Sequence, residues 1–431
     1  MQAPGADIEL PPYSAPAREA PPPLDQLMVL DFSHYLAAPT CTLLLADLGA
    51  DVVKVEGAGQ GDELRRLGPM LGETSASFAW ANRNKRAIEL DLKSPAGLEV
   101  ALALVDRADV LVENFSTGVM DWLGLGPKAM RVRNPRLVYC SIPGYAREGP
   151  LASRSGFDPV VQAESGLMSL TGHADRPGVR TGTPVADHAA GLFAASAVLA
   201  ALMERVRSGL GQHVEVSLYD AAIALAGGSI LGHLASGRVP TRHGNASREA
   251  CPTDVYRTQD GELYIACPSD ELFHRLAAQV LGRPDWTDDR RFARNVDRMA
   301  HAEALRAEME AVLGTRPSEH WMPLMRAARV PAGVINDLAD VVRSSELRAR
   351  ALLSRIPHPR LGSVPSLALP LRFARSPVAT PTPAPARGEH TAAVLQDWLG
   401  SSVDAQSRWM EQGAFGPGPR AAARADGADG V

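Results

Sequence analysis

The sequence predicts an α/β protein whose large domain is a doubly wound parallel sheet, with a smaller α+β domain beside it. Three observations carry this. Short apolar runs of strand length alternate with helix patterns through the first half. The texture changes near residue 228 to a hairpin signal and amphipathic helices. The chain has 431 residues, more than one ordinary core holds, with 38 glycines and 34 prolines for many tight connections.

The elements follow in order. LMVLDF (27–32) and DVVKVE (51–56) read as strands, with PTCTLLLADLG (39–49) between them as a helix opened near Pro39 and stopped by Gly49. AIELDL (87–92) is a further strand. The next helix, 94–108, carries Ser94 as N-cap and Pro95 at the first helical position. DVLVEN (109–114) and RLVYCSI (136–142) continue the alternation. A long helix apolar on most faces spans about 188–207, and HVEVSL (213–218) leads into another apolar helix ending near Ala226. DVYRTQDGELYIAC (254–267) reads as a hairpin about Asp260 and Gly261. Amphipathic helices follow at 270–282 and 301–314. A Pro-rich stretch (363–385) then precedes a final helix near 391–399. Residues 1–24 and those from Gly413 onward are rich in Pro, Ala or Gly and read as disordered tails.

A formal charge of −5 offers no global attraction to nucleic acid or anionic membrane, so neither is an expected partner. The four cysteines (Cys41, Cys140, Cys251, Cys267) form no CxxC pair and read as reduced thiols of a cytoplasmic protein. No apolar run is read as reaching the roughly 18 residues of a membrane span, and the N-terminus lacks a secretion signal's pattern.

GAGQG (57–61) follows a strand, but its glycines run into Asp62 and Glu63 without the spacing that opens a helix, which argues against a dinucleotide fingerprint. GxxxxGK[ST], HExxH and GxSxG are absent. The eleven histidines show no metal-ligand spacing, so no metal is expected, and His34, His188 and His213 read as structural or surface residues. One position has a better physical case. TGTPVADHAAGLF (181–193) puts Asp187 directly before the long apolar helix. There, amide donors and the helix dipole would keep its carboxylate ionised. On spacing alone, a plain helix cap is the stronger reading. Gly182, Ala186, Ala189, Ala190 and Gly191 around it lack bulk, leaving room for a substrate.

From about Leu24 to Leu399 the chain resembles the family III CoA-transferases, the CaiB/BaiF-like family that includes formyl-CoA transferase. The matching runs include VLDFSHYLAAP (29–39), LLADLGADVVKVE (44–56), NRNKRAIELDLKSPAG (82–97), ADVLVENFSTGV (108–119), NPRLVYCSIPGY (134–145), SGFDPVVQAESGLMSLTG (155–172) and TPVADHAAGL (183–192). The resemblance implies a CoA-transferase with Asp187 as covalent nucleophile. Its route runs through a mixed anhydride and an aspartyl-CoA thioester, with no tightly bound cofactor. Substrates would be an acyl-CoA thioester and a carboxylic acid. The implied CoA cleft is lined by Leu36 and Ala37; by Leu90, Asp91, Leu92 and Lys93; by Asn114, Phe115 and Ser116; and by the turn Ser155, Gly156, Phe157 and Asp158. Lys93 would offer a charge for phosphate, Asn114 a polar contact and Phe115 an apolar wall. Without the resemblance, Lys93 reads as a solvated residue and Phe115 as core.

The resemblance also implies an interlocked homodimer, each subunit having a Rossmann-like large domain built from both chain ends. The expected division is a tail at 1–24, the large domain at 25–227, the small domain at 228–340, the large domain again at 341–412 and a tail at 413–431. Gly57 and Trp122 stand where formyl-CoA-binding relatives carry arginines, removing two cationic contacts to CoA; Arg65, Arg66, Lys85, Arg86 and Arg154 are the substitutes within reach. The polyglycine loop of oxalate-using relatives is absent, and Leu36 replaces their substrate-side Gln, which disfavours formyl-CoA and oxalate. The family's racemase branch needs a histidine where Phe157 stands, so transfer is favoured over racemisation. A racemase and a CoA-binding, inactive subunit remain the alternatives.

Overall fold

Alternation of apolar side chains along short strands decides the core of this protein. The computed structural model describes residues 9–15 and 19–416. Six strands form one sheet: β1 (Met28–Phe32), β2 (Asp51–Gly57), β3 (Lys85–Leu90), β4 (Val110–Glu113), β5 (Val138–Ser141) and β6 (His213–Glu215). Their order is β3-β2-β1-β4-β5-β6, and every neighbouring pair is parallel. Successive residues face opposite sides. Val29, Val110, Val112, Val138 and Cys140 enter one core, while Leu30, Leu111 and Tyr139 enter the other.

The first core is covered by α1 (Ala37–Asp47) and the long helix α4 (Val185–Ser208). The second is covered by α2 (Pro95–Val105) and by α10 (Thr391–Leu399) from the far end of the chain. The short helix α3 (Asp158–Glu164) precedes α4, and α5 (Leu218–Leu225) and α6 (Gly227–Ser236) follow it. Ser94 caps α2 through Gly97 N–H at 2.9 Å with Pro95 at the first position, as expected. The stop after β6 is a capping event: Ser217 accepts Asp220 N–H at 3.0 Å and opens α5, so the strand is shorter than 213–218. β3 ends at Leu90 because Asp91 N–H turns to Ala414 carbonyl at 2.8 Å.

The chain divides into two compact units. One comprises residues 1–167, 180–236 and 346–431, the other 168–179 and 237–345. The borders stand beyond 228 and 340 because α6 resumes one residue after α5 ends. In the second unit β7 (Thr253–Arg257) and β8 (Glu262–Ala266) form the hairpin, joined antiparallel by β9 (Ala332–Val334). α7 (Asp270–Arg275), α8 (Ala302–Leu313) and α9 (Ser318–Ala327) surround a separate core containing Phe273, Trp286, Met309 and Trp321.

Other expectations are corrected. Of the two expected tails, residues 1–8, 16–18 and 417–431 lie outside the described residues. Pro11 and Tyr13 pair with Arg355, and Ala414 is buried in the second core. The Pro-rich stretch begins with a strand, β11 (Gly362–Leu367), paired with β10 (Leu353–His358). A two-stranded pair has only edge strands, which tolerate Pro357 and Pro365. A further helix, α11 (Val403–Glu411), follows α10. α4, 24 residues long with an 18-residue stretch of mean hydropathy 1.6, is long and apolar enough to cross a membrane by composition. Its Ala186, Ala190, Ala194 and Val198 are buried in the first core, where α1 packs beside it, as a core helix does. All four cysteines are unpaired and buried.

Beneath the carboxyl ends of β1 and β2 lies a buried ionic cluster. Lys85 Nζ reaches Asp31 at 2.9 Å, Thr42 at 2.8 Å and Asn82 at 2.8 Å. Lys54 Nζ reaches Asp62 at 2.9 Å and the Ser33 carbonyl at 2.6 Å. Burial opposes ionisation of Asp31, yet the ammonium groups of Lys85 and Lys54 outweigh it and draw the carboxyl down to about 2. Stability from this carboxylate is present above its usual range near pH 4 and lost as pH falls toward 2. Lys85→Met leaves Asp31 buried without its partner and is expected to cost about 3–5 kcal/mol, measured by urea unfolding at pH 7.

Candidate active site

Strand order reverses between β1 and β4, and in open α/β sheets the crevice outside the carboxyl ends at that point receives ligands. The loops after β1 and β4 are tied together there. His34 N–H donates to Asn114 Oδ1 at 2.9 Å, and Asn114 Nδ2 donates to the His34 carbonyl at 2.8 Å. Tyr35 has φ of 61°, a region that favours glycine, and its N–H donates to Asp62 Oδ1 at 3.2 Å. Its hydroxyl donates to Glu63. Ser33 is fixed to Asp31 and Lys54. Three consecutive loop residues are thus held by distant side chains, which makes the loop a rigid wall.

A second wall comes from the loop after β5. A Cβ on Gly144 would lie 2.7 Å from the Gly156 backbone, and one on Gly156 would lie 2.8 Å from the Tyr145 ring. Only glycines let the two loops approach this closely. The contact sets the turn Ser155, Gly156, Phe157, after which α3 begins with Asp158, 4% exposed. Asp158 Oδ2 accepts Ala186 N–H at 2.8 Å and Asp187 N–H at 3.2 Å, while Oδ1 accepts from Gln162 Nε2. The carboxylate at the α4 N-terminus is therefore that of Asp158, on another helix.

These walls enclose a cleft of about 600 Å³ in the first unit. Ten of the residues expected from the sequence line it: Leu36, Ala37, Asn114, Phe115, Ser116, Ser155, Gly156, Phe157, Asp158 and Asp187. Leu90, Asp91, Leu92 and Lys93 are not in its lining. Leu90 points into the second core at 1% exposure, the Asp91 amide is taken by Ala414, and Lys93 is an exposed turn residue. The Asn114 amide is fully engaged with the His34 backbone, so it positions a loop. Phe115 lines the cleft and also packs on the second core, with its ring 5.1 Å from that of His34.

The expectation that helix capping keeps Asp187 ionised is corrected. α4 starts at Val185, which puts Asp187 inside the first turn, and Asp158 takes the free amides. Among the described residues no donor bonds the Asp187 carboxylate. Burial, with the negative charge of Asp158 added, pushes its carboxyl up to about 7. The small residues around it have another reason as well. A Cβ on Gly191 would lie 2.5 Å from the Ala37 carbonyl and 2.7 Å from Thr40, so Gly191 permits close packing of α4 on α1. His188 is likewise structural, 3.4 Å from Thr40 Oγ1 with its ring 5.3 Å from that of Trp80.

Of the five cations considered as substitutes for the absent arginines, three are committed elsewhere. Arg65 pairs with Glu56, Lys85 with Asp31, and Arg86 with Asp51 and Asp397. Arg66 and Arg154 line the cleft, and Arg154 is held by Glu164 at 2.9 Å. Sequence reasoning missed Tyr35, Glu63, Tyr145 and Arg180, which also line it. Gly144, three residues after a strand and directly before Tyr145, was the available signal for one of these walls. Nothing in local sequence marks Tyr35 as left-handed.

Comparison with known proteins places the chain in a family and a fold. The profile of CoA-transferase family III matches residues 24–391. An Acetobacter aceti protein named acetyl-CoA:oxalate CoA-transferase is 40% identical over 77% of this chain and 85% of its own length. Succinate–glutarate CoA-transferase of Agrobacterium fabrum is 37% identical over 87% of this chain and 96% of its own. The crystal structure of a CaiB/BaiF family protein from Brucella suis superposes with a TM-score of 0.81 at 36% identity, covering 88% of this chain and all of that one. The mixed α/β architecture with its parallel six-stranded sheet is the fold of that protein.

The Asp187 carboxyl titrates higher in the folded chain, about 7, than its ordinary 3.8, so the folded state binds the extra proton between those values. Its contribution to stability is greatest below pH 4 and falls as pH rises through 7. Asp187→Asn removes that loss. Thermal melts are expected to show the variant more stable than the parent at pH 8, with the gap narrowing as pH falls and closing only below about pH 4.

Proposed function

The chain belongs to CoA-transferase family III, and on that premise we propose that it moves CoA from an acyl-CoA to a carboxylic acid through covalent intermediates on Asp187. The observation that carries this reading is a carboxylate lining a cleft with no bonded donor of its own, beside a second carboxylate that anchors its backbone.

Asp187 attacks the donor thioester carbonyl, the C–S bond breaks, and a mixed anhydride forms as CoA thiolate leaves. The thiolate then attacks the aspartyl carbonyl, releasing the donor acid and leaving an aspartyl-CoA thioester. The acceptor carboxylate attacks that thioester, giving a new anhydride and free thiolate. Attack of the thiolate on the acceptor's acyl carbon completes the transfer and regenerates the Asp187 carboxylate. Acyl activation passes from bond to bond without hydrolysis, so no nucleotide is consumed.

Environment supports the assignment. Asp158 spends its charge on the α4 amides, which fixes the Asp187 backbone without giving its carboxylate a partner. A desolvated, unpaired carboxylate is a stronger nucleophile than a hydrogen-bonded one once ionised. The rigid loop at His34 and Tyr35 gives the thioester a fixed wall. Phe157, with its ring 5.8 Å from that of Tyr35, leaves the turn without the base a racemase needs. The two named relatives use oxalate in one case and succinate and glutarate in the other, so oxalate belongs in the substrate panel despite the missing polyglycine loop.

A homodimer is part of the reading. α4 and α6 leave Leu192, Phe193, Met203, Val206, Leu231 and Leu234 exposed, apolar surface that a second copy would cover. Light scattering on the purified chain is expected to give the dimer mass.

Intact mass after incubation with acetyl-CoA or succinyl-CoA is expected to show an adduct that maps to Asp187 and disappears in Asp187→Ala. Absence of any adduct while CoA still binds would overturn the reading in favour of a racemase or a non-catalytic member. Because the free nucleophile titrates at about 7, kcat/KM is expected to rise with pH through that value and level off above it.

A further inference from the structure

Three arginines line the cleft that holds Asp187, and they differ in what they already do. Arg154 is spent on Glu164 at 2.9 Å and lies over the Tyr145 ring at 5.2 Å. Arg66 ends the short turn Glu63–Arg66, on the same wall as the Tyr35–Glu63 pair. Arg180, like Arg66, is exposed and has no ion pair among the described residues, and what sets Arg180 apart is its backbone. Its backbone position is tied to the nucleophile. Gln162, 1% exposed, accepts Thr181 N–H at 3.0 Å with its carbonyl and donates to Asp158 with its amide nitrogen. Asp158 in turn holds Asp187 N–H. One relay of buried polar contacts therefore runs from the residue beside Arg180 to the nucleophile.

Arg180 does not neutralise Asp187, whose carboxyl feels only burial and the charge of Asp158. A free guanidinium in the same cleft, standing off from the nucleophile, is placed to pair with an anion that enters with the substrate. An acid with one carboxylate brings that group to Asp187 and leaves Arg180 unused. An acid with a second carboxylate at its far end fills both positions. We propose that Arg180 is the specificity residue that anchors the distal carboxylate of an aliphatic dicarboxylic acid while its other end reacts at Asp187. This rests on the transferase reading for its consequence, but the binding it describes is measured apart from catalysis.

The test is equilibrium binding by calorimetry at pH 7, using glutarate, pentanoate (the same carbon chain without the second carboxylate) and CoA. The parent protein is expected to bind glutarate roughly 10–100-fold tighter than pentanoate, the range of one charge-assisted contact. Arg180→Gln is expected to erase that preference and leave CoA binding unchanged, Arg180→Lys to recover part of it, and Arg66→Gln to retain it. Overturning results are a parent with no preference, an Arg180→Gln variant that keeps the preference or loses CoA binding equally, or loss of preference in Arg66→Gln instead. Failure of the transferase reading shows separately, as a missing Asp187 adduct in the parent.

Discussion

Two buried ammonium groups hold the floor of this site. Lys54 and Lys85 are wholly enclosed beneath the carboxyl ends of β1 and β2, each in contact with a carboxylate. Buried charges are costly unless paired and hydrogen-bonded, and here nearly every acceptor of the neighbouring loops is drawn in. Asp31 holds Ser33, Asp62 holds Tyr35 and Leu64, and Glu56 holds Asp62 and Arg65. The loop after β1 therefore keeps a left-handed tyrosine that would relax if it were free. Removing one member loosens the wall as well as the core.

Above that floor the chain places two carboxylates in opposite environments. Asp158 satisfies amide donors at a helix N-terminus, where an anion is favoured. Asp187, inside the first turn of the same helix, has no donor among the described residues and lies next to that anion. Paired acids whose surroundings push them apart divide labour. One is fixed and inert; the other is left reactive. The arrangement costs stability at neutral pH, and the extensive packing of α4 on α1 and the sheet offsets it.

How much was legible follows from the range of each signal. Strand alternation, Ser94 with Pro95, and the Asp260–Gly261 hairpin are local patterns, and the sheet and its first helices follow from them. The candidate nucleophile was legible as a residue through resemblance, while its electrostatics were not. The distance along the chain from Asp158 to Asp187 hides the fact that one caps the other's helix. The same limit explains Leu90, Asp91, Leu92 and Lys93. Leu90 enters the second core and Ala414, more than three hundred residues later, takes the Asp91 amide, contacts that no local pattern shows. Tyr35, Tyr145 and Arg180 carry no pattern of their own and gain meaning only from the loops they meet.

The charges in the cleft bear on what it admits. Arg65, Lys85 and Arg86 are bound to carboxylates elsewhere in the first unit. What remains in the lining is Arg66, Arg180 and a neutralised Arg154, facing Asp158, whose charge the α4 amides absorb. Few cations for so anionic a ligand as CoA means that each must be used with economy. An arginine kept free in the cleft that holds Asp187 is then a cost unless the substrate supplies its partner. On the proposed reading, a second carboxylate on the acid supplies that partner at the moment of binding, and the same contact would fix the angle at which the first one meets Asp187.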